Sequence, residues 1–282
     1  MAIEMGASNY GKSEVRLVKV GRYADRHDLR DLTVDVALEG DFGAAYAKGD
    51  NTGLLTTDTM RNTIYALAKD HLTRDIESFG MKLVGRFVEA GPTVERARIR
   101  LVEHPWDRIE VDGRGHEHSF VRGSGNRTAT VTGTAEGVVN VKAGIEDLFV
   151  LKTTGSGWEG FLREEYTTLP ETDDRILATE IVANWSYGGA AAEFDRLWYG
   201  VRRRILESFT DHYSPSVQNT LYRMGKAVLA EFDEVQKIHF SLPNIHHLLF
   251  DLSYFGIENE GEIFHATREP FGLIEGTVER TE

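Results

Sequence analysis

Apolar and polar residues recur along the chain at two periods, one typical of strands and the other typical of helices. Residues 32–38 alternate between apolar and polar side chains, which predicts a strand with one buried face. Between residues 57 and 89, apolar side chains recur three and four positions apart, which predicts two helices or one bent helix. Further strands are predicted at 15–20, 97–101, 128–141, 176–186, 235–242 and 247–252, and further helices at 194–209 and 217–232.

Stretches rich in glycine separate these elements and predict the loops. Residues 40–53 are rich in Gly and Asp, and residues 113–118 form the predicted tip of a hairpin whose return strand runs to Asn126. A long connection with Gly155, Gly157 and Gly160 precedes the strand at 176–186. Each half of the chain therefore has strands, then a pair of helices, then strands. This order predicts an α+β fold with antiparallel sheets and a tandem duplication.

The composition excludes several classes of protein. The 32 Lys and Arg against 45 Asp and Glu give a formal net charge of -13, which disfavours nucleic acid as a partner, because binding its backbone requires clustered positive charge. The sequence predicts neither a membrane span nor an N-terminal secretory signal. Cysteine is absent, which excludes disulfides, a thiolate nucleophile and Cys-ligated metal. These features fit a cytoplasmic protein.

The segment Leu242–His247 carries the first candidate chemistry. Pro243 predicts that the strand at 235–242 ends there or lies at the edge of a sheet. If the extended backbone continues, Asn244 and His246 point to one side of the strand. An amide that donates and accepts hydrogen bonds would then lie beside an imidazole. The alternative is that both are ordinary polar residues at a strand end.

Three positions in the first half combine a structural and a chemical interpretation. Lys12 precedes the first predicted strand and is either a solvated lysine or, if desolvated, a general base. Thr57 and Asp58 suit the start of a helix. A helix start also presents backbone N–H groups and positive potential to a polar ring or an anion, so both interpretations can hold together.

The second half offers groups that can bind a flat heterocycle. Trp158, in the glycine-rich connection, is either a lid on the core or a stacking platform. Arg175, at the start of a strand, makes either a surface ion pair or a bidentate contact with a planar ring. Gln218 follows Ser214 and Ser216, either of which suits the N-cap of a helix. The Gln218 amide would then lie in the first turn, where it can pair with a lactam edge.

The histidines do not predict a metal centre. His116 and His118 have the spacing of metal ligands, but they lie in the predicted hairpin tip without an obvious third ligand. His246 and His247 point to opposite faces of a strand and cannot bind one ion together. The chain also lacks the sequence motifs of zinc proteases, P-loop proteins, α/β-hydrolases and dinucleotide-binding folds.

Taken together and in order, several segments resemble the urate oxidase (uricase) family, and they span nearly the whole chain. The segments are Tyr10–Lys12, Thr57–Asp58, Asn62–Tyr65, His118–Phe120, Gly160–Leu169, Asp174–Ile176, Ser214–Gln218 and Leu242–His246. The resemblance implies tandem tunnelling-fold (T-fold) domains, here 1–135 and 136–282. Each domain would have an antiparallel four-stranded sheet backed by two helices. It also implies a homotetramer in which sheets pair between subunits into a barrel.

The resemblance further implies an activity and a set of residue roles. The family oxidises urate with dioxygen and water to 5-hydroxyisourate and hydrogen peroxide, without a metal or organic cofactor, at sites between subunits. Lys12, Thr57 and His246 match the proton-relay group. Six further positions match the family's substrate contacts: the Asp58 backbone N–H, the Trp158 ring, the Arg175 clamp, the Val217 backbone, the Gln218 amide and the Asn244 side chain. The residue that Asn244 matches holds dioxygen or the attacking water.

The chain departs from the family pattern at three places, of which Asp173, where the family can carry a bulkier residue, is expected to have little effect. The family usually has Phe where this chain has Trp158, which predicts a wider stacking slot. Residues 279–282 lack the Ser-Lys-Leu-type peroxisomal signal of eukaryotic members, which predicts a bacterial-type cytoplasmic enzyme. Two alternatives remain. One is a T-fold hydrolase of purines or pterins, which needs a carboxylate anchor or zinc ligands. The other is a purine-binding protein without catalysis.

Overall fold

The computed structural model describes residues 3–188 and 193–281, which form strands and helices in nearly the predicted order. The strands are β1 (Asn9–Arg22), β2 (His27–Gly40), β3 (Val94–Glu103), β4 (Trp106–Val111), β5 (Arg114–Arg122), β6 (Asn126–Thr134), β7 (Gly137–Lys152), β8 (Leu177–Tyr187), β9 (Val235–Leu249) and β10 (Phe264–Glu279). The helices are α1 (Gly43–Lys48), α2 (Thr57–His71), α3 (Ile76–Ala90), α4 (Phe194–Thr210) and α5 (Val217–Glu231), with a single 3-10 turn at Ser253–Phe255.

The chain divides into two compact units. The first runs to Gly144 and takes in Asp195, and the second begins at Ile145. In the first unit the strand order is β1-β2-β3-β6-β7, and in the second it is β7-β8-β9-β10, so β7 contributes to both. The paired strands β4 and β5 form a separate two-stranded sheet. The predicted α+β fold with antiparallel pairing is confirmed.

One face of the first unit's sheet is covered by α2 and α3. Alternate residues of β2 from Leu32 to Leu38 are fully or almost fully buried, as the period of two requires. Both helices start at side-chain caps, since Thr56 accepts the Thr59 N–H at 3.1 Å and Asp75 accepts the Ser78 N–H at 2.7 Å. These caps fix where each helix begins and hence which residues occupy its first turn.

The second unit repeats this construction with α5 packed on β9 and β10. Ile238, Phe240 and Leu242 are fully buried on β9, and Met224 and Val228 of α5 are fully buried with them. Apolar residues on the inner faces of both elements therefore form the core beside the end of β9, where the candidate residues lie.

Several predicted boundaries in the first half are wrong. Residues 43–48, predicted as loop, form α1, and residues 128–141, predicted as one strand, are parts of β6 and β7. Lys12 lies inside β1 and not before it. His116 and His118 lie on β5, which ends at Arg122, because the hairpin turns earlier, at residues 112–113. Both turn residues have positive φ, 53° and 73°.

The C-terminal part of the chain differs most from the predicted order of elements. Pro243, predicted at a strand end or a sheet edge, lies inside β9, which pairs with β8 on one side and β10 on the other. The register with β10 shifts next to it, between Thr267 and Gly272. Residues 264–279 form β10, which the sequence pattern missed. Most of its side chains are exposed, so no alternation of buried positions marks it.

Candidate active site

A tyrosine joins the start of β1 to the start of α2. The Tyr10 hydroxyl donates to the Leu55 carbonyl at 3.1 Å and accepts the Leu55 N–H at 2.9 Å. Burial raises the pKa of Tyr10 above its ordinary value. Leu55 lies two residues before Thr57, and Tyr10 lies two residues before Lys12. The two hydrogen bonds therefore hold the backbone segments that carry the predicted lysine and threonine beside each other.

Thr57 and Asp58 occupy the first turn of α2. The cap itself is Thr56, so the side chain of Thr57 is exposed and not used as the cap. The Asp58 carboxylate forms an ion pair of 2.6 Å with Arg61 and accepts from Asn62 at 2.9 Å. Its backbone N–H belongs to the unpaired N–H groups of a helix start, which can bind a polar ring.

Backbone pairing fixes the position of Trp158 in the connection between β7 and β8. Trp158 donates its N–H to the Thr172 carbonyl at 2.7 Å and accepts the Thr172 N–H at 3.1 Å. Its ring stacks on Phe161, with 5.7 Å between ring centroids and 13° between planes. The ring is half-buried, so part of it is available to a second flat group.

Arg175 lies beside Trp158 and lacks a carboxylate partner among the described residues. Its guanidinium carbon is 5.9 Å from the centre of the Trp158 ring. Its Nε is buried and has no hydrogen-bond partner within residues 3–188 and 193–281. Burial lowers the pKa of Arg175 below its ordinary value, and Tyr213 opposes this shift. A guanidinium in this state is suited to a ligand with adjacent acceptor atoms.

The first turn of α5 is attached to the same connection. Ser216 caps the helix and accepts the Asn219 N–H at 3.1 Å, so Val217 and Gln218 occupy the first turn, as predicted. The link runs through Ser214, whose N–H binds the Gly155 carbonyl at 2.8 Å and whose carbonyl accepts the Gly157 N–H at 2.9 Å. The structure therefore brings Trp158, Arg175 and the exposed Gln218 side chain into one region.

A hydrogen-bonded row of polar side chains, His212, Thr220 and Ser214, packs against the start of α5. His212 Nδ1 lies 2.8 Å from the Ser208 carbonyl, which can only accept, so Nδ1 carries the proton. His212 Nε2 then accepts from the Thr220 hydroxyl at 3.1 Å, and Thr220 contacts Ser214. Burial lowers the pKa of His212 below its ordinary value. The neutral imidazole therefore orients the hydroxyls beneath the first turn of α5.

Asn244 and His246 lie near the end of β9, and both are half-buried. Because β9 continues beyond them, they share the face that carries Phe240 in the core, as the extended interpretation predicted. Ile245, which lies between them, pairs with Ala178 of β8, and Ala178 is three residues after Arg175 in the chain. The polar pair on β9 and the Arg175 guanidinium therefore belong to the same end of the second unit's sheet.

Residues that shape this region were not assigned roles from the sequence. The Asp174 carboxylate accepts from the Thr154 hydroxyl at 2.9 Å and from the Gly155 N–H at 3.0 Å. The Tyr213 hydroxyl donates to the Asp173 carbonyl at 2.8 Å. A Cβ on Gly157 would lie 2.1 Å from that hydroxyl, so a larger residue there would displace the Tyr213 ring. Asp174 belongs to the segment Asp174–Ile176, and the resemblance of that segment to the uricase family is the sequence signal that points to it.

The other candidate features carry no comparable arrangement. Among residues 3–188 and 193–281, no group of three or more His, Asp or Glu side chains is arranged to hold a metal ion. The His116 and His118 rings contact each other edge to face, with 4.5 Å between centroids. In the same part of the chain, the helices are too short or too polar to cross a membrane.

Comparison with known proteins gives one family. The family model described as uricase matches residues 8–132 and 141–275. Uricase from Arthrobacter globiformis is 43% identical over 281 residues, which cover 99% of this chain and 90% of that protein. Uricase from Dictyostelium discoideum is 36% identical over 277 residues, covering 97% and 96%. The crystal structure of the Arthrobacter globiformis uricase matches with a TM-score of 0.93, over 99% of this chain and 96% of that chain. This chain therefore belongs to the uricase family.

Proposed function

We propose that this protein is a urate oxidase, which converts urate, dioxygen and water to 5-hydroxyisourate and hydrogen peroxide without a bound cofactor. The observation that carries this proposal is the Arg175 guanidinium, whose buried Nε has no partner among the described residues. It lies beside an aromatic ring and a helix start that presents an amide. Burying a charged donor without an acceptor costs stability, so this arrangement is best explained by a ligand that supplies the acceptors.

The purine is bound through its edges and its face. Arg175 pairs with adjacent acceptor atoms on one edge, and the Gln218 amide and the Val217 N–H pair with the lactam groups of the other. Trp158 stacks on the ring. The positive guanidinium and the N–H groups of the α5 start also favour dianionic character in the bound urate.

A proton relay completes the chemistry. The Lys12 ammonium orients the Thr57 hydroxyl, which passes a proton between substrate and water, while His246 positions the far end of the relay. Asn244 holds dioxygen, and later the attacking water, above the ring plane. The Asp58 N–H contributes a contact from the first turn of α2. The Tyr10 link between β1 and α2 supports the placement of the lysine beside the threonine.

The active enzyme is a cytoplasmic homotetramer with its sites at subunit interfaces, and its two T-fold domains are 1–135 and 136–282. The strands β1 and β10 are the outermost strands of the described sheet. Each carries exposed apolar side chains, among them Val18 and Val20 on β1, and Phe271 and Leu273 on β10. Edge strands of this kind are a liability in an isolated chain, and pairing between subunits would cover them.

The decisive experiment mixes the purified protein with urate in air, in the presence of a chelator. The loss of the near-ultraviolet absorbance of urate and the formation of peroxide are measured together. Loss of urate with an equal amount of peroxide, unaffected by the chelator, is the expected result. Activity that depends on zinc would instead indicate a hydrolase. Tight binding of a non-reactive purine analogue without turnover would indicate a binding protein.

A further inference from the structure

A β-bulge interrupts β1 immediately after Lys12. Lys12 pairs with Val36 and Val15 pairs with Val34, so β1 advances three residues while β2 advances two. Ser13 and Glu14 together face the single residue Asp35. One extra residue in a strand reverses which of the following side chains point to each face, because side chains alternate at a period of two.

This reversal decides the direction of the Lys12 side chain. Lys12 stands opposite the buried Val36, so both point to the face covered by α2, where Tyr10 binds Leu55. After the bulge, Val15 is buried on the same face. Lys12 and Val15 are three residues apart and would point to opposite faces of a regular strand. With Val15 in the core, a strand without the bulge would turn Lys12 away from α2.

Asp35 holds the bulge closed. Its Oδ1 accepts the Glu14 N–H at 2.7 Å, and its carboxylate lies 3.8 Å from the Arg100 guanidinium. Glu14 has a φ of 58°, a left-handed conformation that disfavours residues with a Cβ. This backbone conformation therefore needs a contact to maintain it, and the Asp35 carboxylate provides a charge-assisted hydrogen bond.

We propose that Asp35 is a positioning residue for catalysis, which directs Lys12 toward Thr57 by fixing the β1 bulge from the opposite face of the sheet. This inference rests on the proposed function, in which Lys12 belongs to the proton relay. Asp35 lies on the face of β2 opposite its buried valines and acts through the backbone, so it does not touch the substrate.

The test compares Asp35→Val, which removes the acceptor and introduces a β-branched residue suited to a strand, with Asp35→Asn, which keeps an acceptor oxygen. Asp35→Val is expected to lower kcat by about 10- to 100-fold, since a small misplacement of a catalytic group has effects of this size. The Kd of a non-reactive purine analogue is expected to stay within about twofold. Asp35→Asn should restore most of kcat.

Glu39 supplies the matched control. It lies on the same face of β2, and its carboxylate is 3.7 Å from Arg96, much as Asp35 lies near Arg100. It pairs with Asn9, at the start of β1, and not with the bulged residues. Glu39→Val should therefore leave kcat unchanged, although it removes a similar ion pair.

A double-mutant cycle gives the second readout. If the bulge acts through Lys12, then Lys12→Ala should lower kcat much less in the Asp35→Val background than in the wild type. Additive effects, or a wild-type kcat in Asp35→Val, would overturn the proposal.

If Asp35→Val does not fold, Asp35→Ala takes its place in the cycle. If the wild type does not oxidise urate, the proposed function fails. The bulge is then tested by a crystal structure of Asp35→Val, in which a Lys12 side chain still facing α2 would overturn the inference.

Discussion

The fully buried carboxylate of Glu77 accepts a hydrogen bond of 2.7 Å from the guanidinium of Arg127, whose side chain is only 5% exposed. Arg127 also donates to Asp195 at 2.5 Å, but that carboxylate belongs to a side chain that is 56% exposed. Glu77 lies in the first turn of α3 and Arg127 lies on β6. The Glu77–Arg127 pair therefore joins the start of α3 to the sheet inside the first unit.

The two partners of Arg127 should differ strongly in their effect on stability. At pH 8, above the Glu77 pKa of about 7, Glu77→Ala should lower the free energy of unfolding by about 3–5 kcal/mol, because it removes the buried counter-charge of a buried guanidinium. Asp195→Ala should cost about 1 kcal/mol or less, because its carboxylate is largely solvated. Urea denaturation of both variants measures the difference. Equal losses would show that burial does not set the strength of this network.

The pH dependence of stability should report on Glu77. Burial raises the pKa of Glu77 to about 7 from its ordinary 4.5, against the opposing effect of Arg127. The folded protein then retains a proton that the unfolded chain loses, so this stabilisation is fully present below pH 4.5 and is lost as the pH rises through 7.

In Glu77→Gln this titration is absent, so the unfolding free energy should fall less between about pH 5 and pH 8 than in the wild type. The slopes should differ by at most about 1.4 kcal/mol per pH unit. Burial lowers the pKa of His104, so the titration of His104 makes the unfolding free energy rise with pH. This contribution is the same in both proteins. Parallel curves for the two proteins would contradict the assignment.

Arg175 should contribute to binding and not to stability. Arg175→Met keeps an apolar side chain of similar length, and it should raise the Kd of a purine analogue by about 100-fold, the loss of a charge-assisted pair. The free energy of unfolding should stay the same or rise by up to about 1 kcal/mol, because a desolvated charge is removed. Arg163→Met is the control. Arg163 belongs to the same connection, but it is 56% exposed and 3.9 Å from Glu171, so its removal should leave Kd unchanged.

Trp158→Phe should retain activity. The backbone hydrogen bonds with Thr172 hold this position whatever the side chain, and a smaller ring still provides a stacking face. Trp158→Ala should raise KM by about tenfold or more, the loss expected for one base stacked on an aromatic side chain. Steady-state kinetics of the two variants separates these outcomes. A folded but inactive Trp158→Phe would show that another residue is the stacking platform.

Lys12→Ala and Thr57→Ala should each lower kcat by about 10²- to 10⁴-fold, the usual contribution of a positioned proton-transfer group. The Kd of a non-reactive purine analogue should change much less. Thr56→Ala supplies the control for the helix start. It removes the α2 cap and should cost about 1 kcal/mol of stability, but it should lower kcat far less than Thr57→Ala does, because the Thr57 hydroxyl is still present. Analogue affinity that falls in step with kcat would exclude the relay roles.

Local chemistry made the predicted helix starts reliable. Ser214 and Ser216 both precede an apolar helical period and were both candidate caps. In the structure Ser216 caps α5, which places Gln218 in the first turn. The alternation in β2 likewise predicted its buried face. In both cases the signal and the structure depend on residues close together in the chain.

The features that escaped prediction depend on distant partners. The bulge after Lys12 requires Asp35 on the neighbouring strand, and no period in β1 announces it. The sequence around Arg175 contains many carboxylates that could bind it. Only the three-dimensional structure shows that its Nε has no hydrogen-bond partner among the described residues. Asp174, two residues after Thr172 and next to Arg175, binds backbone instead of the guanidinium.

The left-handed turn at residues 112–113 also offers a point of attachment. Both of its residues are exposed, and so is Arg114, the first residue of β5. Since the chain contains no cysteine, Arg114→Cys would introduce a unique thiol. A fluorophore or a solid support coupled there would be linked to every chain at one defined atom. The position of the hairpin thus makes the protein suitable for site-specific labelling and for oriented immobilisation in a urate sensor.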